Sequence, residues 1–155
     1  MYTFLKVIHL LAVVLFMGNI ITGVFWHFHA ARTRDPKLLA HTVDGIIRSD
    51  RWFTIPGVVG LVAAGVGLAI LAQLPLLRTG WILWSVIAIS LSGVIFAARV
   101  APLQRAMYAM ASTSTKENFD YARYRELSIR WGLWGTLAVL TPLAALALMI
   151  VKPSL

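Results

Sequence analysis

The chain contains no cysteine, which excludes disulfides, iron–sulfur ligation, haem–thiolate ligation and thiol catalysis together. Acidic residues are scarce: 6 Asp and Glu stand against 14 Lys and Arg, for a formal charge of +8 over 155 residues. Charged residues of both signs make up only 13% of the chain and hydrophobic ones 59%, with a mean hydropathy of +0.80. A soluble domain is about 25% charged, so this is membrane composition. In a soluble protein the basic balance would point to nucleic acid. Here it reads as basic loops facing anionic headgroups, and no nucleic-acid-binding module is present. Paired carboxylates, a Ser/His/Asp set, a phosphate-cradling Gly loop and zinc-ligand spacing are all missing. The acids read as loop residues, which argues against hydrolase chemistry within a membrane.

Four apolar stretches are there instead: Tyr2–Trp26, Trp52–Gln73, Trp81–Ala101 and Ile129–Val151. Each is near the ~20 residues that cross about 30 Å of hydrocarbon. The first is longer than the apolar core of a signal peptide and has only Lys6 as a basic residue near its start, so it reads as a retained spanning helix. The short Pro75–Gly80 connection makes the second and third stretches an antiparallel hairpin. Residues 36–50 are expected to form an interfacial helix, with Asp35 as N-cap and Pro36 at the first helical position. Leu103–Ala111 reads as an extension of the third helix beyond the membrane. Of the 14 Lys and Arg residues, all but Lys6, Arg78 and Lys152 fall between the first and second stretches or between Arg99 and Arg130. The positive-inside rule then places both long loops in the cytoplasm and both termini outside. Trp26, Trp52, Tyr124 and Trp131 sit near the expected inner boundary, and Tyr2, Trp81 and Trp84 near the outer one, as interfacial anchors do. Gly57, Gly60, Ala64 and Gly67 form one small-residue stripe, suited to close helix packing or to a slot for a flat cofactor. Pro142 should bend the fourth helix unless a neighbour re-satisfies the carbonyl it leaves unpaired.

His9 stands inside the first stretch, flanked by Ile8 and Leu10. An ionisable group at that depth is costly and marks a functional site by default. Imidazole there suits axial ligation of haem iron, or proton relay or quinone contact, or a neutral histidine bonded within the bundle. His27 lies about 27 Å farther along the axis at helical rise, and His29 and His41 lie at or beyond the same boundary, so none can share iron with His9. Met149, near the outer end of the fourth helix, is the one weaker ligand to try. The other three histidines read as interfacial groups rather than one metal site. Arg99 and Arg130 either snorkel to headgroups or bind an anionic group such as a propionate. Asn19 is accounted for by interhelical hydrogen bonding.

Laid out this way, the chain resembles the integral membrane proteins grouped as domain of unknown function 2269. The resemblance runs along nearly the whole length. It rests on Lys6-Val-Ile-His9 opening the first helix, Thr54-Ile-Pro56-Gly57 opening the second, Pro102-Leu-Gln-Arg105 after the third and Val151-Lys-Pro153 near the end. It implies a fold and no activity. More distantly, the chain is similar to the HemJ-type protoporphyrinogen oxidases, which share the Lys-x-x-His start, here Lys6 and His9, and a Val-x-Lys-Pro-like tail. That resemblance implies haem b on the first-helix histidine and a lysine within the third helix. No lysine stands between Trp81 and Arg99, a departure that weighs against the oxidase activity and leaves a haem site at His9.

The expectation is therefore an all-α integral membrane protein: a single domain over residues 1–155, built as a four-transmembrane-helix bundle with short interfacial helices in the cytoplasmic loops. We expect a bacterial inner-membrane protein that binds haem b through His9, with Gly60, Arg99 and Arg130 contributing to the site, in an electron-transfer or redox role. The alternatives are a non-enzymatic membrane subunit of a larger complex and a HemJ-like tetrapyrrole oxidase. Expected partners are the bilayer and its anionic headgroups, with a membrane protein partner or a second copy of the chain open.

Overall fold

The computed structural model describes residues 1–153. Six α-helices run in the order α1 (Tyr2–Ala31), α2 (Pro36–Ser49), α3 (Ile55–Leu71), α4 (Gly80–Ile95), α5 (Ala101–Ser112) and α6 (Tyr121–Val151). A π turn at Asp50–Thr54 joins α2 to α3, and another at Phe96–Val100 joins α4 to α5. The result is four rods of 30, 36, 33 and 31 residues, each long and apolar enough to cross a membrane. At about 1.5 Å per residue every rod exceeds the ~30 Å of hydrocarbon. All four therefore extend beyond it.

The two π turns have a common cause. Pro56 and Pro102 each sit one residue inside the helix that follows. A proline ring within a helix clashes with the carbonyl four residues back and leaves it without a donor. Widening the preceding turn, so that Ile55 N–H reaches the Asp50 carbonyl and Ala101 N–H the Phe96 carbonyl, passes the ring without breaking the rod. The short helices expected in the basic loops are present as α2 and α5. α2 continues through its π turn into the second span, so the two form one rod.

Helix ends follow the sequence signals. Asp35 caps α2 by accepting the Lys37 N–H at 3.0 Å, with Pro36 at the first position. Asp120 caps α6 by accepting the Arg123 N–H at 3.0 Å. Asp35 also meets the Lys116 Nζ at 2.9 Å, tying the two long loops together. That hydrogen bond is the main reason its carboxyl is held below the usual aspartate range.

The core lies at one end. At the end carrying the two basic loops, the last turns of α1, all of α2 and α5, and the first turns of α6 pack as a bundle around Leu39, Val43, Met107 and Tyr124, each buried to within 1%. Toward the other end, where residues 1, 153 and 72–79 lie, the rods separate into two pairs: α1 packs along α3, and α4 along α6. Their outer faces carry exposed Leu, Val, Ile and Phe, as lipid contact requires. Trp26 and Trp52 are 54% and 73% exposed, as an anchor at the headgroup level would need to be. Trp131 and Tyr124 are not: at 4% and 0% exposure they belong to the core of the basic end. An amphipathic ring near a boundary has the same sequence signature whichever way it faces.

Candidate functional site

Where the helix pairs part, a narrow cavity of about 40 Å³ opens between them. His9 and Phe16 line it from α1, Leu61 from α3, Ile89 from α4, and Pro142 and Met149 from α6. The imidazole is held from one side. Its Nδ1 lies 2.9 Å from the Leu61 carbonyl oxygen, which can only accept, so Nδ1 carries the proton and donates it. In a neutral ring the other nitrogen, Nε2, then keeps its lone pair. Gly65, one turn beyond Leu61, makes room for the ring: a Cβ there would lie 3.1 Å from His9 Cε1.

This is the arrangement of a ligating histidine, in which the far N–H is fixed on a carbonyl and the near nitrogen stays basic. The donor chemistry therefore fits haem iron. The volume as it stands does not, because a macrocycle is many times larger than 40 Å³. Among the described residues, no hydrogen bond links the α1–α3 pair to the α4–α6 pair around this cavity. Parting the pairs therefore breaks only apolar contacts, and in lipid that separation carries little hydrophobic cost.

The structure disperses the other expected site residues. Gly60 faces Ala12, and a Cβ on it would stand 3.6 Å from Ala12 Cβ, so it serves the α1–α3 seam. The Arg99 guanidinium lies over the Trp134 ring, 5.2 Å from its centroid. Arg130 pairs with Glu126 at 2.6 Å. By helical rise, Arg130 is about 28 Å from Met149 along α6, and Arg99 about 15 Å from Ile89. Neither arginine lines the His9 cavity.

His27 is not interfacial. It is fully buried, its Nε2 lies 2.7 Å from Ser128 Oγ, and its ring packs edge-on against Trp131 at 4.7 Å. His29 and His41 are exposed, and among the described residues no group of metal-ligating side chains gathers around them.

Sequence reasoning missed a second polar cluster. Asp50, expected at the end of the interfacial helix in a basic loop, lies in the π turn and is 7% exposed. Its Oδ1 accepts from Thr54 Oγ1 at 2.8 Å and from Asn19 Nδ2 at 3.3 Å, and its Oδ2 accepts from Gln104 Nε2 at 2.9 Å. Asn19 Nδ2 also reaches Thr54 Oγ1 at 2.8 Å. Three of the four rods meet there. The available signal was a polar residue one turn before Thr54, in step with the lone mid-membrane amide of Asn19.

The family described as "Predicted integral membrane protein (DUF2269)" matches this chain over residues 3–153. No curated protein and no solved structure matches it.

Proposed function

This chain belongs to that family of integral membrane proteins, and we propose that it binds haem b between its two helix pairs, with His9 as the iron's only histidine ligand. The observation that carries the reading is the bond from His9 Nδ1 to the Leu61 carbonyl at 2.9 Å, which in a neutral ring leaves Nε2 as the ligating nitrogen, on a residue that lines one cavity with Met149. Bound haem would supply a reversible one-electron change at iron. The chain's own part is to fix the imidazole tautomer, to surround the site with apolar groups and to offer the Met149 thioether from the opposite pair.

The basic end would face the cytoplasm of a bacterial cell, with both termini outside, because all but three Lys and Arg residues lie at that end. A reporter inserted at Thr113–Lys116 should then read cytoplasmic, and one at Pro75–Thr79 non-cytoplasmic; the opposite pair of results removes the orientation. One observation favours a second reading. The small volume at His9 suits a structural histidine in a cofactor-free membrane subunit. The visible spectrum of the detergent-purified protein separates the two: a Soret band near one haem per chain supports haem binding, and a colourless protein supports the subunit.

A further inference from the structure

The buried carboxylate of Asp50 lies away from the His9 cavity and is unused by the reading above. Both of its oxygens are engaged, yet by neutral groups only: Asn19, Thr54 and Gln104. Among the described residues no Lys, Arg or His lies within salt-bridge distance of it. Its neighbours in sequence do not help, since Arg51 and Arg105 are on exposed faces. A buried charge without a counter-charge is strongly disfavoured. A cation bound beside the carboxylate would compensate that charge.

We infer that Asn19, Asp50, Thr54 and Gln104 form a binding site for one small monovalent cation, with sodium as its test ion. The cluster holds five side-chain oxygens: two on the carboxylate, the Thr54 hydroxyl and the two amide carbonyls. The amides now turn their NH₂ groups toward Asp50. A half-turn about the last side-chain torsion, which is broad and nearly two-fold, presents oxygen in place of nitrogen. The set then becomes an all-oxygen shell with no soft or imidazole donor, the kind that hard cations select. A single carboxylate sets the charge: a monovalent ion is neutralised, whereas a divalent ion would leave a buried positive charge. The π turn adds a structural reason. Its wider helical turn places Asp50 and Thr54 where α1 and α5 both reach them, and such turns recur at ligand sites. The two resting states are thus a carboxylate held by N–H donors, and a cation held by the same side chains rotated.

The test uses the whole detergent-purified protein at fixed pH and ionic strength, with sodium chloride exchanged for choline chloride. Sodium should raise the melting temperature saturably, by roughly 5–10 °C at a hundredfold excess over half-saturation. Asp50→Asn keeps the shape, exchanging one acceptor oxygen for an NH₂ that a half-turn of the Gln104 amide can satisfy, and should abolish the response. Gln104→Leu, which removes one ligand oxygen, should shift half-saturation at least tenfold higher. Direct binding of radiolabelled sodium to the unmodified protein needs no variant and should approach one ion per chain. Equal melting in both salts together with no bound sodium overturns the proposal and leaves Asp50 a structural hub. A sodium response that persists unchanged in Asp50→Asn overturns it too, as a general salt effect.

Discussion

The Ser92 hydroxyl donates at 2.6 Å to the Ala138 carbonyl, the acceptor that Pro142 has no N–H to serve, and α6 runs on unbroken from Tyr121 to Val151. In hydrocarbon no water can take that role, so a neighbouring helix supplies it. The same seam repeats one heptad toward the termini, where Ser85 Oγ reaches the Ala145 carbonyl at 3.2 Å. Thr141 Oγ1 gives the Ala138 carbonyl a second, longer contact at 3.2 Å.

Ser92→Ala should therefore cost about 1–2 kcal/mol, the penalty for stranding a buried carbonyl, moderated by Thr141. The sharper measurement is a double-mutant cycle. In a Pro142→Ala background the backbone N–H returns to its helical place, so Ser92→Ala should cost distinctly less there. Equal losses of thermal stability in the two backgrounds would show that Ser92 packs against α6 without serving its proline.

Close approach between α1 and α3 can be tested at one glycine. A Cβ on Gly57 would lie 3.2 Å from Phe16 Cβ and 3.3 Å from the Phe16 backbone nitrogen. Backbone cannot swing aside as a side-chain tip can, so the helices themselves must part. Gly57→Leu should lower stability by several kcal/mol, or about 1–3 kcal/mol if the seam accommodates by local shifts. Gly93→Ala, with nothing within 4 Å of the added atom, should be neutral or mildly stabilising. Thermal melting of the two purified variants checks this, and the idea is lost if Gly57→Leu melts with the parent.

These seams show which parts of the fold could be read in advance. Four spans, the Asp35–Pro36 helix start and the Gly57–Gly67 stripe are local patterns, carried by hydropathy, capping chemistry and residue size within a few turns. His9 was legible because an imidazole among Ile8 and Leu10 is conspicuous. Asp50 was not, because hydropathy opens the second span at Trp52 and leaves the acid just outside it. What buries Asp50 is the continuation of α2 through the π turn, together with Asn19 and Gln104, which are 31 and 54 residues away in the chain. His27 and Trp131 were misplaced for a related reason. Whether a polar ring near the boundary faces lipid or core depends on a partner on another helix, here Ser128 for His27.

The last prediction concerns Gly65, which has no polar group of its own and yet borders the His9 ring. A methyl group at that position would stand 3.1 Å from His9 Cε1 and 3.4 Å from Nδ1. The ring must then tilt by a few tenths of an ångström, and its bond to the Leu61 carbonyl at 2.9 Å must lengthen or bend. Alanine is a better helix former than glycine by about 1 kcal/mol, so Gly65→Ala should fold at least as readily as the parent. If His9 holds haem iron, that variant should keep its fold while its Soret band shifts or loses occupancy, since a carbonyl-fixed imidazole is a stronger and better aimed ligand than a loosened one. Gly18→Ala on α1, with nothing within 4 Å of the new atom, should leave the spectrum alone. His9→Ala should remove the band entirely, whereas His27→Ala, His29→Ala and His41→Ala should retain it. A haem-loaded protein whose spectrum is unchanged in both Gly65→Ala and His9→Ala would place the iron elsewhere and leave His9 only the hydrogen bond that joins α1 to α3.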